Sequence, residues 1–144
     1  MMVADIGQLR QVLLNVLLNA LDALPDGGDV TVTLCRLAPD DVPVAARSMA
    51  WCEIRVADTG PGLADEVQAR VFEPFVTSKE TGTGLGLSIC KRIVLAHGGE
   101  ITARNLPLRG TEFTIRLPCL PNPVASLRGE RLVEIPLSEL ESHA

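Results

Sequence analysis

Leu9, Val12, Leu13, Val16, Leu17, Leu21 and Leu24 recur at helical spacing, so the pattern predicts a helix over Asp5–Leu24, closed by Pro25, Gly27 and Gly28. The period then changes to two. Val30, Val32 and Leu34 alternate with Thr31, Thr33 and Cys35, which predicts a half-buried strand over Asp29–Leu37. Residues 38–48, with Pro39, Pro43 and paired Asp40 and Asp41, read as a linker loop. A second strand is expected over Trp51–Asp58, with Ile54 and Val56 on one face and Glu53 and Arg55 on the other. The run Asp58, Thr59, Gly60, Pro61, Gly62 breaks it.

A short helical turn over Asp65–Val71 precedes VFEPFVTSKETGTG, a stretch with neither period. Helical spacing returns from Leu85 to His97 through Leu87, Cys90, Ile93 and Val94, and Gly98 and Gly99 stop it. Two strands follow over Glu100–Asn105 and Thr111–Leu117. In the second, Phe113, Ile115 and Leu117 oppose Glu112, Thr114 and Arg116. Helices alternating with largely hairpin-joined strands give an α+β two-layer sandwich: a mixed, mostly antiparallel sheet with helices on one face.

The 144 residues suffice for one domain with its own core. A hydrophobic fraction of 47% with 22% charged residues excludes a disordered or low-complexity chain. A net charge of −5 makes nucleic acid a poor partner, because phosphate backbones are bound by clustered Lys and Arg. No apolar run reaches the ~18 residues of a membrane span, and no signal peptide opens the chain, so a cytoplasmic place without membrane contact is expected. Cys35, Cys52, Cys90 and Cys119 lack paired metal-site spacing and read as small core residues.

Three features do not follow from fold alone. Gln11, Asn15, Asn19 and Asp22 form a polar ridge on the first helix, flanked by Leu14 and Leu18 on one side and Leu13 and Leu17 on the other. Asn is a weak helix former, and so narrow a ridge suits a pocket wall as well as a solvated face. By strand alternation Asp58 points inward with Ile54 and Val56. A buried carboxylate needs donors, so Asp58 is either turn chemistry or an acceptor for an exocyclic amine. Thr111, in register with Phe113, offers a hydroxyl from the same inner face. Finally, Gly82, Thr83, Gly84, Leu85, Gly86 and Leu87 form a glycine-rich loop entering a helix, where backbone amides and the helix N-terminus favour phosphate. The loop lacks the Lys-Ser/Thr of a Walker A motif and the preceding strand of a dinucleotide fold.

In this order the pieces resemble the catalytic and ATP-binding domain of sensor histidine kinases, within the GHKL superfamily that also holds gyrase, the heat-shock chaperone and mismatch-repair ATPases. QVLLNVLLNALDAL resembles the N box, DTGPGL the first glycine box, VFEPFVTSK the F box, GTGLGL the second glycine box and GTEFTIRLP the closing strand. FEPFVTSK and NALDAL resemble the nitrogen-regulation branch. The resemblance implies the Bergerat-type ATP-binding fold over residues 1–118, with a mostly irregular tail of unknown role over 119–144, in which ERLVEIP could add an edge strand.

It further implies ATP and Mg²⁺ as cofactors. Asn19 would hold the magnesium, assisted by Asn15. Asp58 would accept from the adenine amino group, Gly60 and Gly62 would let the backbone close on the base, and Thr111 would bind near the adenine through water. Lys79, Thr83, Gly84, Leu85 and Gly86 belong to the expected phosphate-covering lid. Many histidine kinases carry Lys and an aromatic where this chain has Asp22 and Ala23, so Ala23 would face the base and Lys79 would supply the missing phosphate charge.

Hydrolysing members and the related serine kinases carry a Glu base where this chain has Asn15. An amide cannot accept that proton, which argues against a gyrase-like conformational clamp and against a serine kinase. A nucleotide-binding module without catalysis stays open. The favoured reading is phosphoryl transfer to a histidine, whose imidazole is substantially neutral near pH 7. His97 and His143 are the chain's histidines, and His97, before Gly98, suits a helix C-terminal cation. The acceptor would therefore lie on a separate dimerising hairpin, and a response-regulator receiver would take the phosphoryl group onward. The chain reads as part of a longer kinase that begins just after the family's first strand. Alone, it is expected to be monomeric and to bind ATP without autophosphorylating.

Overall fold

The computed structural model describes residues 5–77, 82–119 and 131–136. Helix α1 (Ile6–Asp22) starts where expected: the Asp5 side chain caps it by accepting from the Gln8 N–H at 3.1 Å. Its buried stripe is Val12, Val16, Ala20 and then Leu24, four residues apart. Strands β1 (Asp29–Arg36) and β2 (Ala50–Asp58) follow, joined by a connection containing two single 3-10 turns, Pro39–Asp41 and Val44–Ala46. The Trp51 indole fastens that connection by donating to the Ala46 carbonyl at 3.0 Å. After α2 (Asp65–Arg70) come α3 (Gly86–Ala96), β3 (Glu100–Asn105), β4 (Thr111–Cys119) and β5 (Arg131–Pro136).

The sheet order is β3-β4-β2-β1-β5, and every described pairing is antiparallel. No parallel pair occurs among the described strands, so the mixed element of the expectation is absent there. The ERLVEIP segment forms β5, an edge strand beside β1. α1 and α3 lie on one face of the sheet, over Val56 of β2, Ile101 of β3 and Phe113 and Ile115 of β4. Complete burial of aliphatic side chains such as Val16 and Val94 contributes about 1.5–3 kcal/mol each.

α3 ends as its glycines foretell. The Gly99 N–H donates to the Val94 carbonyl and the Gly98 N–H to the Leu95 carbonyl, both at 2.9 Å, with Gly98 at φ 71°. This double closure needs a left-handed residue, which glycine supplies without strain. His97, the C-cap of α3, is held at both ring nitrogens: its Nδ1 donates to the Ile93 carbonyl at 2.8 Å and its Nε2 accepts the Asp5 N–H at 3.1 Å, so the ring ties α3 to the start of α1.

The opposite face of the sheet is polar, and arginines cover its acids. Glu53 meets Arg116 at 2.7 Å and Arg55 at 3.2 Å, while Arg104 meets Glu112 at 2.7 Å. The cysteines depart from the expectation of core residues: Cys90 is buried, whereas Cys35, Cys52 and Cys119 are half-buried near the sheet's outer end.

Candidate functional site

A cavity of about 450 Å³ opens between the C-terminal end of α1, the end of β2, the start of β4 and the segment leading into α3. Asp58 sits at its base, 3% exposed, so the inward direction read from strand alternation is the one observed. Its Oδ1 accepts from the Gly60 N–H at 2.8 Å and the Thr111 N–H at 3.3 Å. Oδ2 is thereby left to the cavity. Burial pushes the Asp58 carboxyl above its ordinary value, and the two backbone donors pull only partly back.

Glycines make this base possible. A Cβ on Gly60 would lie 2.8 Å from Asp58 Oδ1 and 2.9 Å from the Ala23 carbonyl. A Cβ on Gly110, where φ is 102°, would lie 1.8 Å from the Asp58 carbonyl oxygen. Ala23, the C-cap of α1, therefore packs directly on the Gly60 turn and lines the cavity, as does Thr111, which is 3% exposed.

Two residues that position this base carry no clear signal in the sequence. The Asn105 side chain grips Leu63 at both ends, accepting from its N–H at 2.8 Å and donating to its carbonyl at 2.7 Å. That bidentate clasp fixes Gly62, whose φ is 83°. Arg109 donates to the Gly60 carbonyl at 3.2 Å. Both lie around the β3–β4 turn, which only the antiparallel pairing carries back to residues 58–63.

The α1 ridge divides in two. Asn19 lines the cavity; its amide nitrogen donates to the Asn15 backbone carbonyl at 2.9 Å, and its Oδ1 is an oxygen of the kind hard cations take. Asp22 lines the cavity too. Asn15 does not: its amide faces α3, 3.9 Å from the position of a Cβ on Gly86. Leu14 and Leu18 face outward, 54% and 47% exposed, rather than shaping a pocket wall.

The glycine loop reaches the cavity through Gly82, Thr83, Gly84, Gly86 and Leu87. Leu85 is the N-cap of α3, with no side-chain cap bond, so the first N–H groups of α3 keep their capacity for an anion. Gly84 clasps the F-box segment: its carbonyl accepts the Phe75 N–H at 2.9 Å, and a Cβ on it would lie 2.6 Å from the Phe75 backbone. Phe75 itself is 77% exposed and holds φ 66°, a strained value for an aromatic residue. Phe72, by contrast, packs edge-on against Phe113 at 6.3 Å. Lys79 lies outside the described residues. Among the described residues lining the cavity none is Lys or Arg.

A buried carboxylate under a glycine turn, an asparagine amide on the facing helix and a glycine loop entering a second helix define a nucleotide-binding α+β sandwich. The family model described as histidine kinase-, DNA gyrase B- and HSP90-like ATPase matches residues 4–121, and the chain belongs to this family. Sporulation kinase D of Bacillus subtilis (strain 168) is 46% identical over 110 residues, covering 76% of this chain and 20% of the relative. The sensor histidine kinase ZraS of Escherichia coli O157:H7 is 40% identical over 115 residues, 80% of this chain and 23% of the relative. Among solved structures, the mycobacterial sensor histidine kinase MprB superposes with a TM-score of 0.69 at 34% identity, over 83% of this chain and 78% of that one. The chain is thus the catalytic, ATP-binding domain of a sensor histidine kinase, spanning about a fifth of the length of the two full-length relatives.

Proposed function

We propose that this domain transfers the γ-phosphoryl group of ATP to a histidine on the dimerising helical hairpin of its own kinase, and that a response-regulator receiver accepts it next. The observation that carries the reading is Asp58: a buried carboxyl with one oxygen engaged by the backbone and the other turned to a cavity of nucleotide size. Oδ2 of Asp58 would accept from the exocyclic amine of adenine. Gly60 and Gly62, clasped from behind by Arg109 and Asn105, would lie along the base with Ala23, and Thr111 would reach it through water.

Asn19 would hold Mg²⁺, its carbonyl oxygen sharing the ion with phosphate oxygens and waters, as suits a small hard cation. When bound, that ion would neutralise charge developing on the phosphates. Thr83, Gly84, Leu85 and Gly86 would direct backbone N–H groups at the phosphates, and Lys79 would bring the cation that the described cavity wall lacks. Asn15 cannot take a proton from water, and its amide is turned to α3. A nucleophile must therefore arrive unassisted, which an imidazole can do and a water or serine cannot do readily.

FEPFVTSK, NALDAL and the likeness to ZraS support a place in the nitrogen-regulation branch. Among the described residues no helix is long and apolar enough to cross a membrane, and ATP is cytoplasmic, so we assign the work of this domain to the cytoplasm. We also take residues 1–118 as the catalytic unit, 119–144 as an appended tail, and the isolated chain as a monomer. Titrating ATP with and without Mg²⁺, while following phosphate release in the same sample, tests the reading. Mg²⁺-dependent binding with negligible release is expected. Steady turnover would instead make the chain an ATPase clamp.

A further inference from the structure

Cys52 and Cys119 stand on neighbouring strands, β2 and β4. The register sets Cys52 opposite Leu117 and Cys119 opposite Ala50, so the two cysteines are diagonal neighbours on one face of the sheet. That face is the one carrying Ile54, Val56 and Ile115, at the end of the strands away from Asp58 and Thr111. Both residues are half-buried, within reach of a small solute.

The remaining thiols cannot compete for this pairing. Cys35 lies on the polar face, opposite Glu53 and 4.0 Å from its carboxylate. Cys90 is completely buried, with its thiol donating to the Val12 carbonyl of α1. We propose that Cys52 and Cys119 are a redox-modification site, a cross-strand dithiol that a low-molecular-weight disulfide converts to an intrachain disulfide.

The steps balance without another reactant. The Cys119 thiol loses its proton to solvent, and its sulfur attacks one sulfur of the small disulfide. The S–S bond of the small molecule breaks, one thiolate leaves, and a mixed disulfide remains on Cys119. Cys52 then gives up its proton and attacks the Cys119 sulfur, expelling the second thiolate. Two protein thiols are oxidised to one disulfide, and the small disulfide is reduced to two thiols.

Cys119 is the natural first nucleophile. Burial and the neighbouring sulfur hold the Cys52 thiol above its ordinary value, so its thiolate is scarce until the mixed disulfide has formed. The strand end carrying Cys119 is also the more movable. Past Arg116, β4 has only β2 as a described partner, and Pro118 has no N–H to place in the ladder. Diagonal neighbours start farther apart than the about 3.5–4.5 Å between the Cβ atoms of a disulfide, so a short inward shift of Cys119 completes the bond. A bridge that needs such a shift is readily reduced, as a reversible modification requires.

The experiment uses the reduced 144-residue chain and oxidised glutathione, read by intact mass and non-reducing peptide mapping, in native buffer and in urea. Wild type should lose two hydrogens and yield a peptide linked through Cys52 and Cys119. Linkage should be about tenfold or more faster folded than in urea, because the fold holds the two sulfurs together. Cys52→Ser should trap glutathione on Cys119. Cys119→Ser should leave Cys52 largely unmodified, and Cys35→Ser should change nothing. Linkage that is no faster folded than unfolded, glutathione held equally on Cys35, or no linked peptide at all would overturn the proposal.

Discussion

Replacing Asp58 by Asn separates recognition from stability. Oδ1 accepts two backbone N–H groups, from Gly60 at 2.8 Å and Thr111 at 3.3 Å, so in the variant only the amide oxygen can occupy that position. The amide NH₂ must then take the place of Oδ2 and face the cavity. A donor meets the adenine amino donor there, and a charge-assisted hydrogen bond worth about 1.5–3 kcal/mol is lost. Affinity for ATP, ADP and adenosine should fall roughly 10- to 150-fold, at 1.4 kcal/mol per tenfold. The same NH₂ suits the 6-oxo group of hypoxanthine, so the preference for ATP over ITP should shrink or invert.

The unliganded variant should also be more stable at neutral pH. In the folded state the Asp58 carboxyl lies above its ordinary value of 3.8, so its ionised form is penalised by burial. Below the ordinary value the carboxyl is protonated in both folded and unfolded chains, and the penalty is absent. As pH rises through the elevated folded value, the native state binds the proton more tightly than the unfolded state, and stability is lost. The gain in Tm of Asp58→Asn over wild type should therefore be largest near pH 7 and vanish below about pH 3. Calorimetric titration with ATP and ITP, paired with thermal denaturation across pH, reads both effects. Undiminished ATP binding, or a variant less stable than wild type at pH 7, would refute this reasoning.

Gly110→Ala puts a methyl 1.8 Å from the Asp58 carbonyl oxygen at φ 102°, and strain plus overpacking should cost about 2–6 kcal/mol in urea denaturation. A cost below 1 kcal/mol, on the order of an ordinary surface change, would contradict the close approach. Asn105→Ala removes both bonds to Leu63 and should cost about 1–3 kcal/mol, with faster amide exchange at Leu63 and weaker ATP binding. Unchanged exchange there would deny the clasp. Lys79→Ala should weaken ATP more than ADP, and equal loss for both nucleotides would remove Lys79 from the γ-phosphate.

Much of this was legible because strand alternation and helical period act locally. Asp58 could be directed inward from Ile54 and Val56 alone, and β3 follows from its own six residues. Asn15 shows where local reading ends. One turn before Asn19, it shares a ridge in sequence, yet its amide faces Gly86 because α3 packs there, a placement no period on α1 encodes. Leu14 and Leu18 turn outward because they stand on the side of α1 opposite the buried Val12, Val16 and Ala20. Asn105 and Arg109 escaped because an Asn before a turn and an Arg within one are ordinary residues. Only the return of β4 beside β2 brings them under residues 60–63. The left-handed Phe75 was equally hidden, since its strain is imposed by the clasp with Gly84 rather than by its neighbours in sequence.

The most direct measurement incubates the chain with γ-labelled ATP and Mg²⁺, with and without the parent kinase's dimerising hairpin, and follows protein-bound label and free phosphate together. Acid-labile label on the hairpin histidine, with little phosphate released when the hairpin is left out, is the expected result. Release of free phosphate at the same steady rate without the hairpin, and no label on the histidine, would contradict a histidine kinase domain that waits for its acceptor.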